Sequence, residues 1–385
     1  MTLTNRDILE LTEWRRDLHR YPEVSRFEAE TAKRVVTALA HLGADQIVTG
    51  LGGHGVAAIF DGDQPGPTVM FRAELDALPI SEISTADYRS TIPGVAHLCG
   101  HEGHMTMLMG LGRLLARRRP VRGRVILMFQ PAEEDGSGAR AVVSDPRYTD
   151  LRPEWAFAIH NWPGTALGHV LLASGVVNCA SMGLKILLTG KTAHASMPDT
   201  GTSPAIALSR LIPRLMALGT GGELNEKFRL VTVTHATMGA ASFGIAPGAA
   251  ELWVTLRTVH DAQMADLLAS AMNIATTEAA AAGLGVSFTQ HDHFAASVND
   301  ADATAIAAAA VDALGVIRAP GSLPERASED FGVFGWGQTK SAMLFLGAGT
   351  LVPALHNPDY DYPDDLTPLG VAIFHRIVRD LTDGP

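Results

Sequence analysis

Between residues 97 and 104 the sequence places His97, Cys99, His101, Glu102 and His104 within a single short stretch. Thiolate, imidazole and carboxylate are the donors that divalent transition metals prefer. Gly100 separates Cys99 from His101 and lets the backbone bend so that both side chains point one way. Four more polar clusters each follow an apolar run. The run 69–71 leads to Arg72, Glu74 and Asp76; 125–129 leads to Gln130, Glu133, Glu134 and Asp135; 156–159 leads to His160 and Asn161; 343–346 leads, after a glycine loop, to His356 and Asn357. Sites in open α/β sheets form beyond the carboxyl ends of the strands, so convergence of these four ends would gather carboxylates and imidazoles in one place. In the pair Glu133 and Glu134, one carboxylate can hold a metal ion. The other can take a proton from water acidified by that ion and return it to a leaving amine.

Most other histidines read as surface or core residues, with His19 and His235 as the exceptions to watch. Met105, Met107 and Met109 read as core filling, which suits a flexible thioether. Arg117, Arg118 and Arg119 read as a solvated helix end with charges favourable to the helix dipole. Cys179 reads as structural.

The elements that must position these groups follow from periodicity. Helical spacing of apolar residues marks 7–19, 28–42 and 104–117, and β-rich runs mark 55–60, 68–71, 124–129 and 155–159. Alternating strands and helices predict an α/β layered domain. The rhythm restarts near residue 182 with a strand at 184–188, a helix at 204–218, strands at 230–234 and 251–256, a helix at 262–282 and a strand at 286–289. That order, βαββαβ, is ferredoxin-like. The reading is therefore an α/β catalytic domain over 1–181 and 295–385, with a mixed sheet flanked by helices, interrupted by a smaller inserted domain over 182–294. A helix at 303–314, a strand at 342–346 and a helix at 366–381 complete the first domain.

Composition narrows the function. The chain has 385 residues, 46% hydrophobic, with a net charge of −11. That balance disfavours nucleic acid and anionic membranes as partners. No run is long and apolar enough for a transmembrane helix, and the first residues show no apolar signal region. Two cysteines make no disulfide framework, so a reducing cytoplasm is expected.

At these residues the chain resembles the aminoacylase/carboxypeptidase G superfamily of metallopeptidases, and within it the branch of hippurate hydrolase and the indoleacetyl-amino acid hydrolases. The resemblance runs from about 18 to 366 and is carried by LHRYPE at 18–23, FRAELDALP at 71–79, HLCGHEGH at 97–104, QPAEE at 130–134, IHN at 159–161, GKTAH at 190–194, SEDF at 328–331 and HNPDYD at 356–361. It implies Cys99, His101, Glu134, His160 and His356 as ligands of two divalent ions per subunit (Zn, Mn, Co or Ni) and Glu133 as general acid/base. Asp76 would orient a metal-binding imidazole. His194, from the inserted lid domain, would reach into a neighbouring subunit's site and polarise the scissile carbonyl. Arg257 would hold a substrate carboxylate, and Asn161 would touch substrate. The chain departs from the family pattern at Glu74 and Glu102, where Asp is usual, and at Gly244, where Asn is usual.

The resulting expectation is a metal-dependent amidohydrolase. It would cut a small-molecule N-acyl amino acid into a carboxylic acid and an amino acid, working as a homodimer or higher homo-oligomer built through the lid. The rivals are a dipeptidase or carboxypeptidase of the same superfamily and a catalytically inactive metal- or ligand-binding relative.

Overall fold

Parallel strands covered on both faces need nearly continuous apolar runs, and the chain supplies them at Gln64–Glu74, Arg122–Gln130, Trp155–Pro163 and Lys340–Gly349. The computed structural model describes residues 1–321 and 323–383. In it these four strands lie side by side and parallel, in the order Arg122–Gln130, Gln64–Glu74, Trp155–Pro163, Lys340–Gly349. Antiparallel strands flank them: Gly55–Asp61 and then Gln46–Leu51 on one side, Val170–Leu171 on the other. The sheet is therefore mixed and seven-stranded.

Successive side chains of a strand point to opposite faces, and the core divides accordingly. Val69, Phe71, Leu127, Phe129, Phe157 and Leu344 pack with residues of the helices Asn5–Arg20, Ala29–Leu39, His101–Arg117, Ala301–Ala313 and Leu366–Thr382. Met70, Ile126, Met128, Ala158 and Phe345 pack on the other face with Val142, Tyr148, Phe331 and Phe334. Helices thus cover one face, and the short elements Gly138–Ser144, Pro146–Leu151 and Asp330–Gly335 cover the other. Because the four central strands are parallel, their carboxyl ends, with Glu74, Gln130 and His160 near them, lie at one edge.

The chain folds into two compact units. The first comprises Met1–Val177, Ser297–Leu323 and Glu329–Pro385, and the second Asn178–Ala296 and Pro324–Ser328. The second unit has the expected βαββαβ order. Its antiparallel sheet runs Arg229–Met238, Ala249–Thr258, Ala180–Thr189, Gly285–Phe294, and the helices Ala205–Met216 and Asp261–Ala281 pack on it. Along Ala249–Thr258 every second residue is buried, the period-2 pattern of a strand with one covered face.

Three differences from the expectations of the sequence stand out. The helix read from 104 begins at His101, because Gly100 at φ +91° supplies its left-handed start. The strands Gln46–Leu51 and Val170–Leu171 carry too little apolar periodicity to be read, the first being mostly exposed and the second two residues long. Segment 324–328 belongs with the second unit, although the order of elements assigns everything after 294 to the first. It is tied there by the Cys179 amide, which donates to the carbonyls of Glu325 (3.2 Å) and Ala327 (3.1 Å). No helix among the described residues is long and apolar enough to cross a membrane.

The helix His101–Arg117 meets the Tyr362 ring at Gly103, where an added Cβ would stand 2.3–2.5 Å from ring carbons. Gly103→Ala is expected to destabilise the fold by about 1–3 kcal/mol, the usual cost of overpacking a rigid contact. Chemical denaturation checks it, and a variant as stable as the parent would show that this packing is loose.

Candidate metal centre

Two imidazoles at the sheet edge are fixed by main-chain carbonyls. His101 Nδ1 donates to the carbonyl of Asp76 (2.8 Å), and His160 Nδ1 donates to that of Asn161 (2.7 Å). A carbonyl can only accept, so the Nδ1 of each ring carries a hydrogen and, in the neutral ring, Nε2 is the nitrogen with the lone pair. His160 Nε2 lies 3.5 Å from Cys99 Sγ. His101 Nε2 lies 3.8 Å from Glu133 Oε2 and 3.7 Å from Glu134 Oε1. On its other side Glu134 Oε2 is 3.6 Å from His356 Nε2. Donor atoms of Cys99, His101 and His160, and separately of Cys99, Glu134 and His356, fall within 4.8 Å of one another.

The local backbone explains this convergence. Gly100 cannot be replaced, since a Cβ there would stand 2.2 Å from Asn161 Oδ1. Ala132 (φ +50°) and His356 (φ +66°) are two of the four non-glycine residues with positive φ among those described. Such conformations are costly and persist where surrounding structure enforces them. The Ala132 amide is held by Glu28 Oε1 (2.7 Å) and the Glu134 amide by Asp76 Oδ2 (2.9 Å). Asp76 Oδ2 also accepts from Ser25 Oγ (2.7 Å).

The donor set fits divalent cations. His101 Nε2, Glu134 Oε1 and Asp76 Oδ1 are buried with no hydrogen-bond partner, an arrangement that costs stability without a cation to face. The 3.5–3.8 Å spacings are long for hydrogen bonds. They match the roughly 3.4–3.6 Å that separates nitrogen, oxygen and sulfur ligands around a tetrahedral ion with bonds of about 2.0–2.3 Å. Electrostatics agree. Burial, reinforced by Glu134, pushes the Cys99 thiol well above its usual range. Burial, with Glu329, Glu134 and Asp330, lifts Glu133 likewise. Loss of solvent, partly offset by His101, raises the half-buried Glu134 to about 7.

Of the residues singled out in the sequence, Cys99, His101, Glu133, Glu134, His160, His356 and Asp76 come together. Three cluster members do not join them. His104 has both ring nitrogens engaged, Nδ1 with Glu74 (2.7 Å) and Nε2 with Asn161 Oδ1 (2.6 Å). Glu102 turns to His19 Nδ1 (2.8 Å) and Arg15 (3.3 Å). His97 is buried beside it, 3.9 Å from Glu102. The expectation that the Asn161 side chain contacts substrate is corrected: it is fully buried, and its amide donates to the Cys99 carbonyl (3.1 Å) and Tyr360 (2.7 Å) while Oδ1 meets His104. No group of that amide is left for a ligand.

In the second unit, His194 sits on the short strand Ala193–His194, exposed, paired with Ile245–Ala246. Its Nδ1 accepts from the Ser196 amide (3.2 Å), which leaves the hydrogen on the outward Nε2. Arg257 Nη1 donates to the Arg326 carbonyl (2.9 Å) and Ser328 Oγ (2.8 Å). Both partners are neutral. A Cβ on Gly244 would meet nothing within 4 Å. His235 is exposed beside Trp253.

Two buried charge clusters that brace the centre have no role in the sequence reading. Arg72, fully enclosed, donates to Gln130 Oε1 (2.7 Å), Glu329 (2.8 Å), Asp330 (2.7 Å) and Glu74. Burial raises Glu74, but Arg72 and His104 outweigh it and hold it well below the carboxylate range. Asp330, with burial and Glu329 acting against Arg72, reaches about 8. Arg15 similarly joins Glu102, Asp361 and Asp364. Most of their members lie on motifs the sequence displays, at 71–79, 97–104, 130–134, 328–331 and 356–361, with Arg15 and Asp364 outside them. Their pairing is what no linear spacing reveals.

Comparison with known proteins agrees with this geometry. Residues 70–380 match the peptidase family M20/M25/M40. The chain belongs to this family. It is 30% identical over 373 residues to IAA-amino acid hydrolase ILR1-like 5 of Arabidopsis thaliana, a match covering 93% of this chain and 83% of that one. It is 34% identical over 245 residues to an N-acetyl-L-cysteine deacetylase of Bacillus subtilis (strain 168), covering 63% of this chain and 58% of the relative. A crystal structure described as a dinuclear metal-binding peptidase from the M20 family, the YXEP protein of Bacillus subtilis, superposes with a TM-score of 0.81 at 24% identity over 99% of each chain; that likeness shows the fold. The chain is a metal-dependent hydrolase of amide C–N bonds.

Two outcomes are expected. Removing divalent metal by chelation should lower the melting temperature by on the order of 5–10 °C, with recovery on reloading; an unchanged melt would sink the metal assignment. The second concerns His19. Burial opposes its charge, yet hydrogen bonds to Glu102 and Glu82 hold its pKa at about 9. An unfolded histidine titrates near 6.5. Its contribution is thus complete below about pH 6.5 and lost as pH rises through about 9, on the order of 1–3 kcal/mol. Urea unfolding between pH 6 and 10 should show this decline, and His19→Gln should flatten it.

Proposed function

We propose that the protein hydrolyses N-acyl amino acids, with two divalent ions held by Cys99, His101, Glu134, His160 and His356 and with Glu133 as general acid/base. The observation that carries this reading is the pair Glu133 and Glu134 meeting the bare Nε2 of His101 from adjacent positions. Glu134 also reaches His356 and shares a donor group with it and Cys99, so Glu134 would be a metal ligand and Glu133 is left for proton transfer. When bound, divalent ions supply a Lewis acid that polarises the amide carbonyl and makes water acidic near neutral pH.

The chain's own groups do the rest. Glu133 takes a proton from water as its oxygen bonds to the carbonyl carbon. It then delivers that proton to the nitrogen as the C–N bond breaks. Asp76 keeps the His101 ring in place through its carbonyl and holds the Glu134 amide through its carboxylate. His194 has Nε2–H as a donor, the tautomer needed to stabilise an oxyanion. It serves the site of a partner subunit in a homodimer formed through the second unit. Arg257, whose partners Arg326 and Ser328 offer only neutral oxygens, receives the substrate carboxylate. The relatives named for N-acetyl-L-cysteine and for IAA-amino acids support a free amino acid as one product. Zinc or manganese suits the mixed donors, and two buried free thiols suit a cytoplasmic setting.

Glu133→Gln is expected to lower kcat about 10²–10⁴-fold, the range for a general acid/base, with bound metal unchanged by elemental analysis. His194→Ala should cost about 10²–10³-fold, as for loss of one oxyanion donor. Release of amino acid should be assayed from N-acetyl, N-benzoyl and N-indoleacetyl amino acids and from dipeptides, using protein reloaded with Zn, Mn, Co or Ni. Cleavage of dipeptides alone would replace this reading with a dipeptidase.

A further inference from the structure

The first unit contains a second cavity, remote from the metal centre. Its volume is about 230 Å³, and its walls are Val143, Tyr148, Val333, Phe334 and Trp336, with Arg152 at the rim. It lies at the opposite end of the parallel strands. Arg152 precedes Trp155–Pro163, Thr339 precedes Lys340–Gly349, and Lys340 is in register with Trp155. His160, five residues further along its strand, is roughly 16 Å away at about 3.3 Å per residue.

The chemistry of the walls selects a ligand. Tyr148 and Phe334 stand 6.0 Å apart, centroid to centroid, tilted by 48°. Trp336 is 48% exposed although it forms a wall, so a large apolar ring faces solvent across the opening. The volume is below the range of about 300–1,000 Å³ typical for drug-sized ligands and suits a single ring. The hydroxyl of Thr339 is already engaged with the Pro153 carbonyl (2.7 Å). Arg152 is exposed and makes no ion pair or side-chain hydrogen bond among the described residues. Its Nη1 lies near Gly337, 3.4 Å from where a Cβ would be. A second guanidinium, Arg140, packs 5.5 Å from the Trp336 ring. Two cations without carboxylate partners beside an aromatic slot are unusual in a chain of net charge −11. A guanidinium recognises a carboxylate through paired hydrogen bonds, and the rings prefer a flat partner in offset or edge contact.

We propose that this cavity is a non-catalytic binding site for a small planar aromatic carboxylate. The ring packs against the exposed face of Trp336, with the buried pair Tyr148 and Phe334 as the floor, and the carboxylate meets Arg152. The site does not depend on which amide the enzyme cuts.

Calorimetric titration of the metal-loaded enzyme with benzoate tests this, with Trp336 emission as a second readout. Saturable binding is expected, weakened about tenfold or more in Arg152→Ala and about tenfold or more for neutral benzamide, as loss of a charge-assisted pair predicts. Arg152→Lys should fall between. Arg152→Ala should melt like the parent and, without benzoate, keep amide cleavage within about twofold. Absence of saturable binding would overturn the proposal. So would equal affinity in Arg152→Ala, or binding seen only as competitive inhibition that ignores Arg152, since both place benzoate at the metal centre alone.

Discussion

His101 and His160 each give a ring hydrogen to a main-chain carbonyl, and the geometry of the centre follows from that constraint. A carbonyl has no rotamers and no second protonation state. It sets the tautomer and the plane of the ring together, which a side-chain partner would do less firmly. Those carbonyls belong to Asp76 and Asn161, which lie at or just beyond the ends of adjacent parallel strands. The pitch of the sheet therefore sets the spacing of the two lone pairs. Cys99 and Glu134 then arrive on loops whose backbone is held by Gly100, Ala132 and the carboxylate of Asp76.

Concentrating negative charge beside those lone pairs creates a second requirement. Glu74, Asp76, Glu133, Glu329 and Asp330 are all buried near the same strand ends. Buried carboxylates are tolerated when paired and hydrogen-bonded. Arg72 takes three of them, and Asp76 is held by Ser25 and the Glu134 amide. Glu133 has no arginine partner among the described residues and faces only the His101 imidazole, 3.8 Å away. The chain thus leaves Glu133, the carboxylate proposed to move a proton, less compensated than those held by Arg72.

Much of this was legible in the amino-acid order. Period-2 and period-3.6 patterns located the four parallel strands, the long helices and the βαββαβ unit, because those segments are buried on defined faces. The metal-ligand types were visible because Cys99 and His101 are neighbours and Glu133 and Glu134 adjoin. Proximity in sequence does not reveal the partners of His104, Glu102 and Asn161. On the helix starting at His101, Glu102 turns away to His19 and Arg15, whereas His104, three residues on, shares the His101 face but spends both ring nitrogens on Glu74 and Asn161. Asn161 lies beside a ligand, yet alternation along the strand turns it inward. The partners of Arg72 and Arg15 are separated by up to 258 and 349 residues; only the folded sheet brings them together.

The interruption of the first unit also bears on the order in which the protein can assemble during synthesis. Strand Lys340–Gly349 is internal to its sheet, between Trp155–Pro163 and Val170–Leu171. It leaves the ribosome after the four strands of the second unit, which end at Phe294. The inserted unit can close its sheet while the strand carrying His160 still has an open edge. Such an edge can pair with another chain. Half-made molecules are therefore exposed to aggregation for the time needed to translate the intervening residues, and His356, later still, joins the donor cluster of Cys99 and Glu134 only after that danger has passed.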